Sequence, residues 1–306
     1  MIGEEKAKLL RCSLSGLLAE NEALAARTAY RIGGPAAFFL HPRNPVELEL
    51  ALRVLAELEI EYLVLGGGYN VLVADAGIRD RVVISLGEGF AELEMVGGDA
   101  AAVLLRVGAG VSLARLVSLA ESEGLAGFAG LAGIPGTVGG AVAMNAGAWG
   151  ATIYDCLAAL QLLTREGPVW RASGALRPGY RDGGLALGEI VVAAYFLAPK
   201  GISAEICAAA DECRRRRRER LPAGNHAGSV FKNPPGDYAG RLLDAAGCRG
   251  LVSGGAQISW QHANVIVAGP EARAADVRDL MALARRRVRK NSGIELEAEI
   301  KFFADQ

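Results

Sequence analysis

The residues able to do chemistry in this chain fall into five short stretches. LGGGYN, from Leu65, sets Gly66, Gly67 and Gly68 between two apolar runs. Glycine admits positive φ and close backbone approach, so amides in such a turn can converge on an oxygen-rich group such as a diphosphate. The pattern is neither GxGxxG opening a helix nor a P-loop, and a plain tight turn stays open as a reading. GFAGLAGIPGTVGGAVAMNAGAWG, Gly127 to Gly150, is almost free of charge, with glycine at every third position from Gly124 to Gly139. Its Ile134, Val138, Val142, Met144 and Trp149 call for burial, so it reads as a wound, packed loop, either hugging a flat or extended ligand or packing for its own sake. The remaining stretches are YR at Tyr180, GSVFKNP from Gly228 and LEAE from Leu296. A forked, permanently charged guanidinium suits a carboxylate gaining charge. A carboxyl beside another carboxylate is pushed up and can hold a proton. A serine hydroxyl is a poor acid and needs a reactive partner in contact. On spacing alone these are a surface arginine, surface glutamates and a turn or cap serine. His226 lies close enough to Ser229 to tempt a triad reading, but no nucleophile elbow accompanies it and a structural histidine is expected.

The elements that must position these groups are legible in outline. Residues 1–25 read as one or two short helices. RIGGPAAFFLH is a turn and a strand, PVELELALRVLAELE a helix, EYLVLGGGYNVLVAD a strand, turn and strand, and RVVIS a further strand. This βαββ unit ends near residue 86. AAVLLRVGAG is a strand, VSLARLVSLAESEG a helix closed by glycine, and TIYDCLAALQLLT and GEIVVAAYFLAP strands on either side of a loop. Pro199, Lys200 and Gly201 break the pattern. A helix then carries Arg214 to Arg218; consecutive positions point all round a helix, so the run is a solvated helix or a docking surface for an anion. Another helix runs from about Glu271 to Asn291. GIELEAEIKFF closes the chain as a strand on which Glu295, Glu297 and Glu299 face one way.

The chain has 306 residues, 51% of them hydrophobic, which allows two or three domains with sizeable cores. Charged residues make up 22% and nearly cancel to a net charge of -1, against a chain whose main partner is nucleic acid. The five cysteines form no CxxC pair and the three histidines are scattered, so buried free thiols are expected and no metal site. Glu and Lys interrupt the N-terminal apolar pattern, and no stretch has the length of a membrane span, so a cytoplasmic protein without membrane insertion is expected.

Taken together, TAYRIGGPA from Thr28, LGGGYNVLVAD, GLAGIPGTVGGAVAMNAGAWG, YR, GSVFKNP, QHANVIVAG from Gln261 and LEAE resemble the UDP-N-acetylenolpyruvoylglucosamine reductase family, in family order across nearly the whole chain. The resemblance is to its shorter subclass. It implies an α+β fold: a vanillyl-alcohol-oxidase (PCMH)-type two-part FAD-binding module, residues 1–86 and 87–200, and a C-terminal α/β substrate-binding domain, residues 201–306. It implies non-covalent FAD, NADPH as hydride donor and a UDP-sugar substrate; a monomer is expected, with an oligomer left open. Hydride passes from flavin N5 to C3 of the enolpyruvyl ether and a proton to C2, giving UDP-N-acetylmuramate for peptidoglycan. Carried over by motif, Ser229 is the proton donor, Glu299 the catalytic carboxylate and Arg181 the stabiliser of the developing enolate. Tyr180, Arg181, Lys232 and Asn233 hold substrate. FAD falls to Arg31, Ile32, Gly33 and Gly34; to Gly66, Gly67, Gly68, Tyr69 and Asn70; to Gly133, Ile134, Pro135, Gly136, Thr137, Val138 and Gly139; and to Asn145, Ala146 and Gly147. The chain departs from the family at Tyr69 and Gly183, where serine is usual, and at Ala268, where asparagine is. Rival readings are another flavin oxidoreductase of this fold acting on a hydroxy acid or alcohol, which has no reason to carry GSVFKNP and LEAE together, and a noncatalytic nucleotide-binding descendant.

Overall fold

In the computed structural model, which describes residues 1–305, the chain opens with helix α1 (Glu4–Ser13), acidic in its first turn and basic in its last, as the helix dipole favours. The next stretch departs from the helical expectation: Leu18–Ala23 is strand β1. LAENEA has good helix formers, yet it pairs antiparallel with β2 (Pro35–Leu40), Leu18 opposite Leu40 and Glu22 opposite Ala36. Glu20 and Glu22 stay at the edge as ion pairs with Arg11 and Arg27, so tertiary pairing overrides propensity. Helix α2 (Pro45–Glu57) begins where the Asn44 side chain accepts from the Glu47 N–H at 2.9 Å. Strands β3 (Tyr62–Val64), β4 (Val71–Val73) and β5 (Ile78–Ile84) follow. β2 and β3 flank β5 in parallel, giving the order β1-β2-β5-β3.

A second sheet holds β6 (Leu93–Gly98), β7 (Ala102–Gly108), β10 (Leu157–Thr164), β11 (Gly167–Ala172) and β12 (Ile190–Pro199), antiparallel throughout in the order β11-β10-β12-β7-β6. Between β7 and β10 come α3 (Leu113–Ser122), α4 (Val138–Ala143) and a small hairpin, β8 (Gly147–Ala148) with β9 (Ala151–Thr152). The glycine tract is thus part helix and hairpin, not loop throughout. The edge strands β6 and β11 escape the sequence pattern, since five of the six residues of β6 and three of the six of β11 are exposed. The strand expected from Thr152 starts only at Leu157, because the Asp155 carboxylate accepts from the Thr152 N–H at 2.9 Å and its hydroxyl at 2.7 Å and winds a tight turn.

Helix α5 (Ser203–Arg220) leads to α6 (Ala239–Ala245), the antiparallel sheet β13 (Val252–Ser253), β14 (Ala256–Ile258) and β15 (Ile266–Ala268), and α7 (Ala274–Ser292), which ends at Gly293 with φ +74°. The last strand, β16, is only Lys301–Phe303. The glutamates expected on one strand face therefore lie before it and diverge. Glu295 stands by Arg285 and Arg289, Glu297 binds Lys232, and Glu299 binds Arg181.

Buried residues gather around each sheet, and the cores interlock. Tyr30, Ile32 and Leu72 join the core of α6, α7 and β14; Leu163, Ile190 and Val192 join that of the first sheet; Ala210 of α5 joins that of the second. The buried-thiol expectation holds only for Cys248: Cys12 is exposed and Cys156, Cys207 and Cys213 are half-buried, all five unbridged. No described helix is long and apolar enough to cross a membrane, and no described cluster of metal-ligating side chains exists.

Candidate active site

The first glycine turn is shaped by what surrounds it. Gly68 has φ +70°, and a Cβ there would lie 2.0 Å from the Arg27 carbonyl, so only glycine fits. Asn70 ties the turn to the far end of the chain: its Nδ2 donates to the Glu299 carbonyl at 3.1 Å and its carbonyl accepts from the Lys301 N–H at 2.9 Å. β4 and β16 then pair in parallel, Val71 with Lys301 and Val73 with Phe303.

The second glycine tract runs beside residues 109–113: Val138 N–H donates to Val111 O at 2.8 Å and Gly139 N–H to Ala109 O at 2.9 Å. Thr137 caps α4 by accepting from Gly140 N–H at 3.4 Å. The two tracts meet face to face, since a Cβ on Gly67 would come within 3.0 Å of Gly136 Cα and one on Gly66 within 3.1 Å of Thr137 Oγ1. Together they wall a cleft of about 1210 Å³. Among the described residues, the amides of Gly66, Gly67 and Gly68, all on the cleft wall, have no backbone acceptor, which leaves three donors for an anion.

The opposite wall carries the polar groups. GSVFKNP and LEAE lie side by side: Glu299 N–H donates to Val230 O and Lys232 N–H to Glu297 O, both at 2.9 Å. Ser229 and Glu299 both line the cleft. Arg181 reaches in to donate from Nε to Glu299 Oε1 at 2.6 Å and from Nη1 to Gly147 O at 3.4 Å. Burial pushes the Glu299 carboxyl up from the ordinary range, while Arg181, and more weakly Lys232, pull it back down. Arg181, Asn145 and Trp149 all hold positive φ, at +59°, +43° and +58°, a clustering of strained backbone around one site. Asn145 Nδ2 donates to Gly179 O at 2.9 Å, but its buried Oδ1 has no partner among the described residues.

The expected residues divide. Gly66 to Asn70, Ile134 to Thr137, Ala146, Gly147, Arg181, Ser229, Asn233 and Glu299 line the cleft; Arg31 to Gly34, Gly133, Val138, Gly139, Asn145, Tyr180 and Lys232 do not. Ile32 packs in the core beneath the Ser229 segment, Arg31 turns to the Ala26 carbonyl, and Gly33 and Gly34 press on Val73 and Asp75. Gly133 faces Arg217 on α5, and Gly139 faces Ala109. Val138 is fully buried in the core of the second sheet. Tyr180 sits beside the wall, its hydroxyl accepting from Asn233 N–H at 3.5 Å, and Lys232 is engaged by Glu297 at 2.7 Å. Of the departures, Tyr69 lies against Gly67 and Gly136, whose missing side chains make room for its ring. At Gly183 a Cβ would come 2.2 Å from Val142 O, and the Tyr154 hydroxyl already donates to Gly183 O at 2.6 Å, so this loop excludes a serine side chain. Ala268 is buried in β15, its N–H donating to Asn225 O at 2.9 Å.

The wall also holds groups the sequence did not place there: Arg220, Arg241, Arg249 and His262, with Arg217 from the arginine run, and Trp149, which was expected to be buried but is 37% exposed on the cleft wall. Arg214 to Arg216 are spent on Glu121, Asp211, Glu212 and Glu219. Arg217 has no carboxylate partner among the described residues, and burial, then Arg181, lowers its affinity for the proton from the usual value. Arg220 lies 4.8 Å from the Trp149 ring. Their i, i+3 spacing on one helix face was the available signal.

Residues 36–173 match the family model described as FAD binding domain, and residues 220–303 the one described as UDP-N-acetylenolpyruvoylglucosamine reductase, C-terminal domain. A protein of that reductase name from Geobacter sulfurreducens is 40% identical over 100% of both chains. Another, from Myxococcus xanthus, is 37% identical over 93% of this chain and 91% of its own. The crystal structure of the reductase of that name from Thermus caldophilus superposes with a TM-score of 0.80 at 36% identity, covering 92% of this chain and 97% of that one. Phl p 4.0202, a glucose dehydrogenase, shares the fold alone, with a TM-score of 0.51 at 16% identity over 74% of this chain and 52% of that one.

Proposed function

The chain belongs to the UDP-N-acetylenolpyruvoylglucosamine reductase family, and from that premise we propose how its cleft works. It is an FAD-dependent oxidoreductase that uses NADPH to reduce UDP-N-acetylglucosamine enolpyruvate to UDP-N-acetylmuramate for peptidoglycan. Its fold is the two-part FAD-binding module followed by a substrate-binding body. We assign residues 1–86 and 87–200 to the module and 201–306 to substrate, acting as a cytoplasmic monomer without a nucleic-acid partner.

The residues present fit FAD. Gly140 lines the cleft, and a Cβ on it would meet only Thr137 Oγ1 at 3.5 Å, so the wall there is bare backbone; the amides of Gly66, Gly67 and Gly68, without an acceptor among the described residues, add polar contacts. Gly66 to Asn70 would hold the diphosphate, and Ile134 to Thr137 with Ala146 and Gly147 the remainder. Bound there, FAD supplies the hydride, taken from NADPH and delivered to C3 of the enol ether.

The protein's own task is the charge and the proton. Arg181 holds the substrate carboxylate as negative charge builds on it. Glu299, raised by burial, is raised further by a second carboxylate and then keeps a proton to share with the enolate oxygen. Ser229 gives its proton to C2, at contact distance from the enolate. Asn233 and, from beside the wall, Tyr180 and Lys232 hold the nucleotide end. The observation that carries this reading is the convergence of Ser229, Glu299 and Arg181 on a cleft walled by both glycine tracts.

An anaerobic visible spectrum tests it. The flavin bands should bleach on adding NADPH and return on adding the enolpyruvyl substrate. A flavin that stays reduced after substrate overturns the assigned reaction; a preparation without flavin is first reconstituted with FAD.

A further inference from the structure

Ser229 sits between two staples of different kinds. On its C-terminal side, Asn264 grips the backbone: its carbonyl accepts from Val230 N–H at 2.9 Å, its Oδ1 from Phe231 N–H at 3.0 Å, and its Nδ2 donates to Phe231 O at 2.8 Å. On the N-terminal side the grip is His226. Its Nδ1 accepts from Gly228 N–H at 3.1 Å and its Nε2 lies 3.1 Å from Pro222 O. That pairing fixes the tautomer: Nδ1 carries the lone pair and Nε2 the proton, donated to Pro222. Gly228 has φ +77° and open space where a Cβ would be, so no packing contact on that side stands in for the hydrogen bond.

We infer that His226 is a positioning residue for Ser229, holding the proton donor in place through Gly228 only while its ring is neutral. This rests on the proposed reductase reaction. The amide grip cannot titrate; the imidazole grip can. Protonation puts a hydrogen on Nδ1, which then repels Gly228 N–H instead of accepting from it, and shifts the chain just before Ser229 between the flanking antiparallel pairings of Asn225 with Ala268 and Ser229 with Val265. The groups facing the ring are Arg217 from α5, His262 from the turn before β15 and the Pro222 carbonyl, with no carboxylate among them. Burial is the largest influence and holds the ring's affinity for the proton below the usual 6.5; the Pro222 carbonyl opposes it, and Arg217 adds to it. The Ser229 step is then fully supported at neutral pH and fails as acidity passes the ring's own midpoint.

The test follows reoxidation of the reduced holoenzyme by substrate in single turnovers from about pH 5 to about pH 8, alongside flavin reduction by NADPH. His226→Asn supplies a non-titrating oxygen that can accept from the amide two residues on; His226→Ala supplies nothing. The inference expects the acid loss of reoxidation to shrink in His226→Asn, and reoxidation in His226→Ala to slow at least about tenfold at every pH, with flavin reduction unchanged in both. Variants that keep the wild-type profile overturn it. If either variant fails to hold FAD, the wild-type holoenzyme decides: the Gly228 amide resonance must move with the same midpoint as the His226 ring, and an amide that stays still overturns the inference. That resonance is read without turnover, so a wild type whose flavin substrate cannot reoxidise counts against the reaction and leaves the His226 result to the amide.

Discussion

Arg181 and Glu299 stand 118 residues apart in the chain and meet at 2.6 Å on the cleft wall. Arg181 does so from a left-handed backbone at φ +59°, with a second contact to Gly147 O. A lysine there would keep the charge but lose the fork. Arg181→Lys should slow substrate-driven flavin reoxidation by about 10- to 100-fold, with reduction by NADPH unchanged. Stopped-flow absorbance separates the two; equal slowing of both would show that the residue serves FAD rather than substrate.

Glu299 should trade stability against activity. Its folded carboxyl lies above the ordinary 4.5, with burial the largest cause. The stability it contributes is therefore complete below 4.5 and lost as pH rises through its folded value. At neutral pH the charged group is a net cost to the fold. Glu299→Gln should melt at or above the wild-type temperature while reoxidation falls by about 100-fold. A clear loss of melting temperature would contradict the sign.

Ser229→Ala should bind FAD and accept hydride from NADPH as the wild type does, yet form product at least about 100-fold more slowly. Product formation at the wild-type rate would remove Ser229 from the mechanism.

Two glycines should separate folding from binding. Gly68→Ala drives a Cβ to 2.0 Å from a backbone carbonyl at φ +70°, and should cost more than about 1 kcal/mol of stability. Gly140→Ala lies in α4 with its nearest neighbour at 3.5 Å, so the fold should hold while FAD binds more weakly. Denaturant midpoints and flavin titration measure the two effects.

His41, His226 and His262 are all held below the usual 6.5, each first by burial. The folded state binds fewer protons than the unfolded one. Their contribution is thus present above 6.5 and lost as pH falls through the folded values. The urea midpoint should drop on acidification from about pH 7 to about pH 5; a flat profile would exclude this linkage.

The helices and strands with a long apolar period, α2, α3 and β12, were legible because local pattern and burial agree there. β1 was not: its leucine, alanine and glutamates favour a helix, and only the β2 edge makes it a strand. The site motifs YR, GSVFKNP and LEAE named Arg181, Ser229 and Glu299, which converge. Sequence could not show that Glu295 and Glu297 turn elsewhere, since the strand assumed there does not form before Lys301. Nor could it choose among five arginines: Glu121, on a different helix, takes Arg214, and what it leaves facing the cleft is Arg217.

The pairing of β4 with β16 joins a segment made early in synthesis to one made much later. A nascent or clipped chain lacking β16 would have both glycine tracts but leave Val71 to Val73 as a bare strand edge. A chain cut before Lys301 would keep Glu299 but lose the bond from Lys301 N–H to Asn70 O that ties its segment to the first glycine turn. The same truncation would make it adhesive, and a cell's proteases would meet an unfinished copy by its exposed edge.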